Sequence, residues 1–157
     1  MGEPSWTIWV LHGPNLNLLG RREPEIYGAG TLEALDAEVV TRGAAMGAAV
    51  MCRQTNHEGV LLDWIHGALD QGVDALILNP AALTHTSVAL RDALAAYAGV
   101  KVEVHLSNVW QREPFRHGSF VSPVVDGVVA GFGAGSYVLG LQAAVRLLRA
   151  RAGAWQG

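Results

Sequence analysis

The run from His12 to Gly28 reads HGPNLNLLGRREPEIYG and sets Arg21 and Arg22 within six residues of Tyr27. An arginine five residues from a phenol could hold it as a phenolate, a strong base. Tyrosine titrates near pH ~10, and a fixed cation beside it favours the charged form. A matching acid stands further along. Glu103 and His105 lie two apart in VEVHL, so on a strand their side chains share a face. A carboxylate there holds one ring nitrogen and leaves the other to donate a proton. The plain alternative is a buried polar pair on a central strand, which is costly without partners.

A polar strand-to-helix loop, Asn79 to Ser87, offers Asn79 and His85 as ligand contacts. Thr84, Thr86 and Ser87 read as caps and turn formers. Asp92 reads as part of a solvated helix face. Arg112 and Arg116 are either surface charge or, with Arg21 and Arg22, a site for a small anionic substrate. His66, His117 and Cys52 read as structural or surface residues.

Other chemistries find little footing. No dinucleotide fingerprint is present: Gly131-Phe132-Gly133-Ala134-Gly135 follows the last strand and has Ser136 where the third glycine belongs. His57-Glu58 has Leu61 where a zinc helix needs its second histidine, so no metal and no cofactor is expected. Lys101 is the single lysine, so a lysine imine must use it or be discarded. Ser87 and Ser107 lack a Gly-x-Ser-x-Gly elbow, which weakens a hydrolase reading. A flavodoxin-like binding or signalling module would need a flavin phosphate loop or an acidic cluster near strand 1, and His12-Gly13-Pro14 is neither.

Strand-like and helix-like blocks alternate. Strands are expected at about Thr7–Leu11, Ala49–Gln54, Ala75–Leu78, Val100–His105 and Val124–Ala130. Helices are expected over Leu32–Met46 capped by Thr31, over about Glu58–Asp70 capped by Asn56, from Thr86 or Ser87 to about Tyr97, and over Tyr137–Arg151. Leu32, Leu35, Val39 and Val40 form one apolar helix face; Leu61, Leu62, Ile65 and Leu69 form another. Such alternation implies a parallel sheet covered on both faces, a flavodoxin-like α/β three-layer sandwich of order 2-1-3-4-5. Strands 1, 3 and 4 are then neighbours. Their carboxyl ends bring His12-Gly13-Pro14-Asn15, Asn79-Pro80 and His105 to Asn108 together at the switch point.

The 157 residues, half of them apolar, suit one catalytic domain with residues 1–6 and 152–157 as flexible tails. A net charge of −3 argues against a nucleic-acid binder. No apolar block reaches the roughly 20 residues of a membrane span, no leader is evident, and one cysteine needs no oxidising compartment. A cytoplasmic protein is expected.

The segments HGPNLNLLGRREPEIYG, QTNHEGVLLDWIH, ILNPAALTHTSVALRDAL, VEVHLSNVWQREPFRHGSFVSP and GFGAGSYVLGL resemble the type II 3-dehydroquinate dehydratases. The resemblance implies a flavodoxin-like subunit, a homododecamer built as a tetramer of trimers, and a lyase reaction without metal or Schiff base. That reaction is anti elimination of water from 3-dehydroquinate to 3-dehydroshikimate, in the shikimate pathway or in quinate breakdown. It implies Tyr27 as base, Arg22 as its activator, Asn15 as holder of a water at the enolate, His105 as acid and Glu103 as its orienting partner. Asn79, His85, Leu106, Ser107 and Arg116 become substrate contacts, and Asp92 one supplied by a neighbouring subunit. The chain departs from the common pattern at His12 (often asparagine), Ala81 (often glycine), Leu83 (often tyrosine) and Gly118 (often histidine).

Overall fold

The computed structural model describes residues 2–27 and 30–153, without the side chains of Pro24 and Tyr27. Five parallel strands, β1 (Trp6–His12), β2 (Ala48–Gln54), β3 (Ala75–Asn79), β4 (Val100–His105) and β5 (Gly127–Ala130), form one sheet in the order β2-β1-β3-β4-β5. The flavodoxin-like order expected from the alternating blocks is therefore present. The helices are α1 (Pro24–Tyr27), α2 (Leu32–Ala45), α3 (Glu58–Asp70), α4 (Val88–Ala96) and α5 (Gly135–Arg151).

Each strand splits its side chains between two cores. Ile8 and Val10 of β1 join Ile77, Val102 and Val104 under α2 and α5. Trp9 and Leu11 join Leu76 and Leu78 under α3 and α4. Alternation along a strand buried on both faces requires this division. It also decides which layer each polar strand end enters. His12 and Asn79 continue the α2–α5 face, whereas Glu103 and His105 continue the α3–α4 face.

Several expectations need correction. Val40 and Leu69 are exposed, at 41% and 47%, so each apolar helix face is one residue narrower than its spacing implies. Asn56 does not cap α3: His57 holds the cap position, and the Asn56 carboxamide instead accepts from the Asn15 backbone N–H at 2.9 Å. Of the two starts offered for α4, Ser87 is the one that caps it, accepting from the Leu90 N–H at 2.9 Å, which needs no correction. The fifth strand starts at Gly127 rather than Val124, because Ser122–Val124 is a 3-10 turn built on Pro123. Proline has no N–H to give a ladder. The tail expected at residues 152–157 lies mostly outside the described residues.

Candidate active site

The first corner is fixed by close packing. His12 pairs with Asn79 across β1 and β3, and the Gly13 N–H donates to the Asn79 carbonyl at 2.8 Å. A Cβ on Gly13 would fall 2.6 Å from the Pro80 carbonyl oxygen, so the β1 and β3 loops can touch only with glycine there. The chain then turns at Asn15, whose φ of 71° asparagine tolerates better than most residues. Arg22 follows, 3.4 Å from Glu23, before α1. Tyr27 ends α1, and its side chain, like all of Gly28, lies outside the described residues.

An open cleft of about 710 Å³ lies over the carboxyl ends of β1, β3 and β4. Asn15, Arg22, Asn79, His85, His105, Leu106, Ser107 and Arg116 line it, together with Arg112. Eight expected site residues thus meet at the switch point, where open α/β sheets place ligands. Two do not line it. Glu103 stands behind His105, fully buried, and Asp92 is exposed on α4. Arg21 is exposed and contributes nothing to the wall.

The His105 ring rests on Glu103, with Nε2 2.5 Å from Oε2, and the residue lines the cleft. The carboxylate is fully engaged: Thr84 Oγ1 donates to Oε2 at 2.6 Å and Ser122 Oγ to Oε1 at 2.5 Å. Burial pushes this carboxyl up, but the bonds from His105, Ser122 and Thr84 and the charge of His105 bring it below its ordinary value. Thr84 is therefore more than a turn former, and Ser122 was missed altogether. The one sequence signal for either is the need of a buried carboxylate for donors. His85 is also held, its Nδ1 2.7 Å from the Gly118 carbonyl oxygen. Ala81 is a wall residue of the cleft.

A second polar cluster was not legible from spacing. His12, Asp36 and Cys52 bring possible metal-ligand atoms within 4.8 Å of one another, from β1, α2 and β2. His12 Nε2 and Asp36 Oδ1 already bond each other at 2.7 Å, which accounts for the grouping without an ion. Burial, then the neighbouring Asp36 carboxylate, pushes the Cys52 thiol up to about 12, so it is a neutral donor. Burial also pushes the Tyr137 phenol well above its ordinary value.

The class II dehydroquinase family model matches residues 6–145. The chain belongs to this family. It is 59% identical over 137 residues to the 3-dehydroquinate dehydratase of Azorhizobium caulinodans, covering 87% of this chain and 92% of the relative. The corresponding enzyme of Gloeothece citriformis is 54% identical over 146 residues, covering 92% and 94%. The crystal structure of the type II dehydroquinase from Propionibacterium acnes superposes with a TM-score of 0.88 at 43% identity, over 92% of this chain and 99% of that one. Class II dehydroquinase membership agrees with the resemblance seen in the motifs.

Proposed function

We propose that this class II dehydroquinase removes water from 3-dehydroquinate to give 3-dehydroshikimate, in aromatic biosynthesis or quinate breakdown. The observation that carries the reading is the Glu103–His105 pair at a cleft also lined by Arg22, Arg112 and Arg116. Three guanidinium groups suit a small carboxylate-bearing ring, and the oriented imidazole suits loss of a hydroxyl.

In this mechanism the ring ketone acidifies the adjacent carbon. The Tyr27 phenolate, kept ionised by Arg22, takes that proton, and the electron pair forms an enolate. A water held by Asn15 stabilises the enolate oxygen. As the enolate collapses, His105 gives its proton to the departing hydroxyl, which leaves as water on the opposite face. Asn79, His85, Ser107 and the Leu106 backbone position the ring, and closure of the Arg22–Tyr27 loop excludes bulk water.

No step calls for a metal, a cofactor or an imine. The exposed Asp92 suits a contact to a neighbouring subunit's cleft, in a homododecamer arranged as a tetramer of trimers. Among the described residues no helix is long and apolar enough to cross a membrane, and a cytoplasmic enzyme acting on a small molecule remains our reading. The direct experiment adds 3-dehydroquinate to purified protein and follows conjugated-enone absorbance. Growth of that absorbance supports the reaction, and a flat trace at high protein concentration rejects it.

A further inference from the structure

The Glu103 carboxylate is held from a turn that lies outside the cleft wall. Residues Ser119 to Ser122 follow the loop that carries Arg112 and Arg116, and the fully buried Val121 pins them into the core under α3 and α4. Ser119 Oγ accepts from the Val121 N–H at 3.0 Å and from the Ser122 N–H at 2.9 Å. It also lies 3.0 Å from Thr84 Oγ1.

A single hydrogen decides which of these two hydroxyls donates. The Thr84 proton goes to Glu103 Oε2 at 2.6 Å, because an ionised carboxylate only accepts. Ser119 is therefore the donor to Thr84, and its hydroxyl uses its one proton and both lone pairs. The bonds run in one direction, from Ser119 to Thr84 to Glu103, and the same Oε2 takes the His105 ring. On the other side, the backbone that Ser119 holds carries Ser122, whose Oγ donates to Oε1 at 2.5 Å. One hydroxyl thus sets both neutral donors on the carboxylate.

Thr84 is 1% exposed and Glu103 fully buried. Water has little room to replace a lost donor there, and hydrogen bonds in series polarise one another. Without the Ser119 hydroxyl, two backbone N–H groups lose their acceptor and Thr84 loses its donor. The Phe120 N–H would still donate to the Thr84 carbonyl at 2.8 Å, so the loop keeps its place while its hold on Glu103 slackens.

We propose that Ser119 is a positioning residue for the proton-donating step: through Thr84 and Ser122 it fixes the Glu103 carboxylate, and through that the His105 ring. The proposal rests on His105 being the acid, as read above. Ser119 lines no part of the cleft, so its loss is felt in turnover and not in substrate affinity.

The test compares Ser119→Ala, Ser119→Thr, and Ser119→Ala combined with Glu103→Gln. Ser119→Ala lowers kcat about fivefold, the scale of one hydrogen bond, with the KM for 3-dehydroquinate within about twofold of the parent. Ser119→Thr keeps the hydroxyl and holds kcat within about twofold. Added to Glu103→Gln, Ser119→Ala costs less than about twofold more, because its path runs through the carboxylate already removed. The His105 ring signals in long-range ¹H–¹⁵N spectra move in Ser119→Ala, while those of His66, exposed on α3, stay. A folded Ser119→Ala with parent kcat and unmoved His105 signals overturns the proposal, as does a loss of undiminished size in the Glu103→Gln background. A raised KM at unchanged kcat overturns it too. Should Ser119→Ala not fold, Ser119→Cys, close in shape and a weak donor, decides by the same readouts. A parent that leaves 3-dehydroquinate unchanged rejects the function reading instead, and the His105 signals still decide the hydrogen-bond path.

Discussion

Glu103 Oε2 lies 2.5 Å from His105 Nε2, two residues further along the same face of β4, and takes a second bond from Thr84. The carboxylate thus occupies Nε2 and fixes the rotation of a ring that lines the cleft. Removing the ring removes the proton donor: His105→Ala is expected to lower kcat by ~100-fold or more, the usual scale of a positioned acid. Glu103→Gln keeps the ring but releases its orientation, for a smaller loss of about tenfold. Steady-state kinetics of the two variants check the order. A His105→Ala enzyme at near-parent kcat rejects the acid role.

The same carboxyl makes stability depend on acid. Its folded pKa is lowered from the ordinary 4.5, so the unfolded chain binds its proton first as pH falls. The stabilisation is complete above the unfolded value and disappears as pH drops through the folded one. Urea midpoints of the parent should therefore decline below about pH 4.5 more steeply than those of Glu103→Gln, which has nothing to protonate there. Parallel declines would remove Glu103 from the acid transition.

Tyr27→Phe keeps the ring and loses the proposed base. We expect a folded protein that binds 3-dehydroquinate, measured by calorimetry, and turns it over at least ~100-fold more slowly. Near-normal turnover would reject Tyr27 as base.

Lys101 Nζ donates to the carbonyls of Leu94 and Tyr97 at 2.8 and 2.7 Å, near the amino end of β4, the edge opposite the cleft. Burial lowers its pKa, yet the amine is tied down away from the site. Borohydride added with substrate should leave activity intact. Time-dependent inactivation with a mass increase at Lys101 would point to an imine.

Hydrophobic spacing and turn residues made the sheet order legible, because five apolar blocks alternating with helical ones leave few parallel topologies. β4 and α3 even have the expected bounds. The strand ends then brought Asn15, Asn79 and His105 to one edge without any knowledge of contacts. What stayed hidden is what depends on long-range geometry. Thr84 and Ser122 serve Glu103 from 19 positions away, and His12 meets Tyr137 across 125. A hydroxyl in a polar loop looks the same whether it caps a turn or holds a buried carboxylate. Helix-face edges such as Val40 and Leu69 fail for a related reason: the width of a buried face is set by what packs against it, not by the repeat.

Ala81 stands where the resemblance implies glycine, and the backbone gives that difference a physical meaning. Its φ is +53°, in the left-handed region, where an L side chain costs about 1–2 kcal/mol and glycine far less. The strain is held in place by the Asn79 carboxamide, which accepts from the Ala81 N–H at 3.0 Å. Ala81→Gly removes that strain but gives the unfolded chain about 0.4–1 kcal/mol of extra freedom. The net expectation is a gain of about 0.5–1 kcal/mol, since the backbone term is the larger of the two. Urea unfolding at pH 7 measures it as a higher midpoint at unchanged slope. A lower midpoint would mean that the packing of the Ala81 methyl at the cleft wall outweighs the backbone strain.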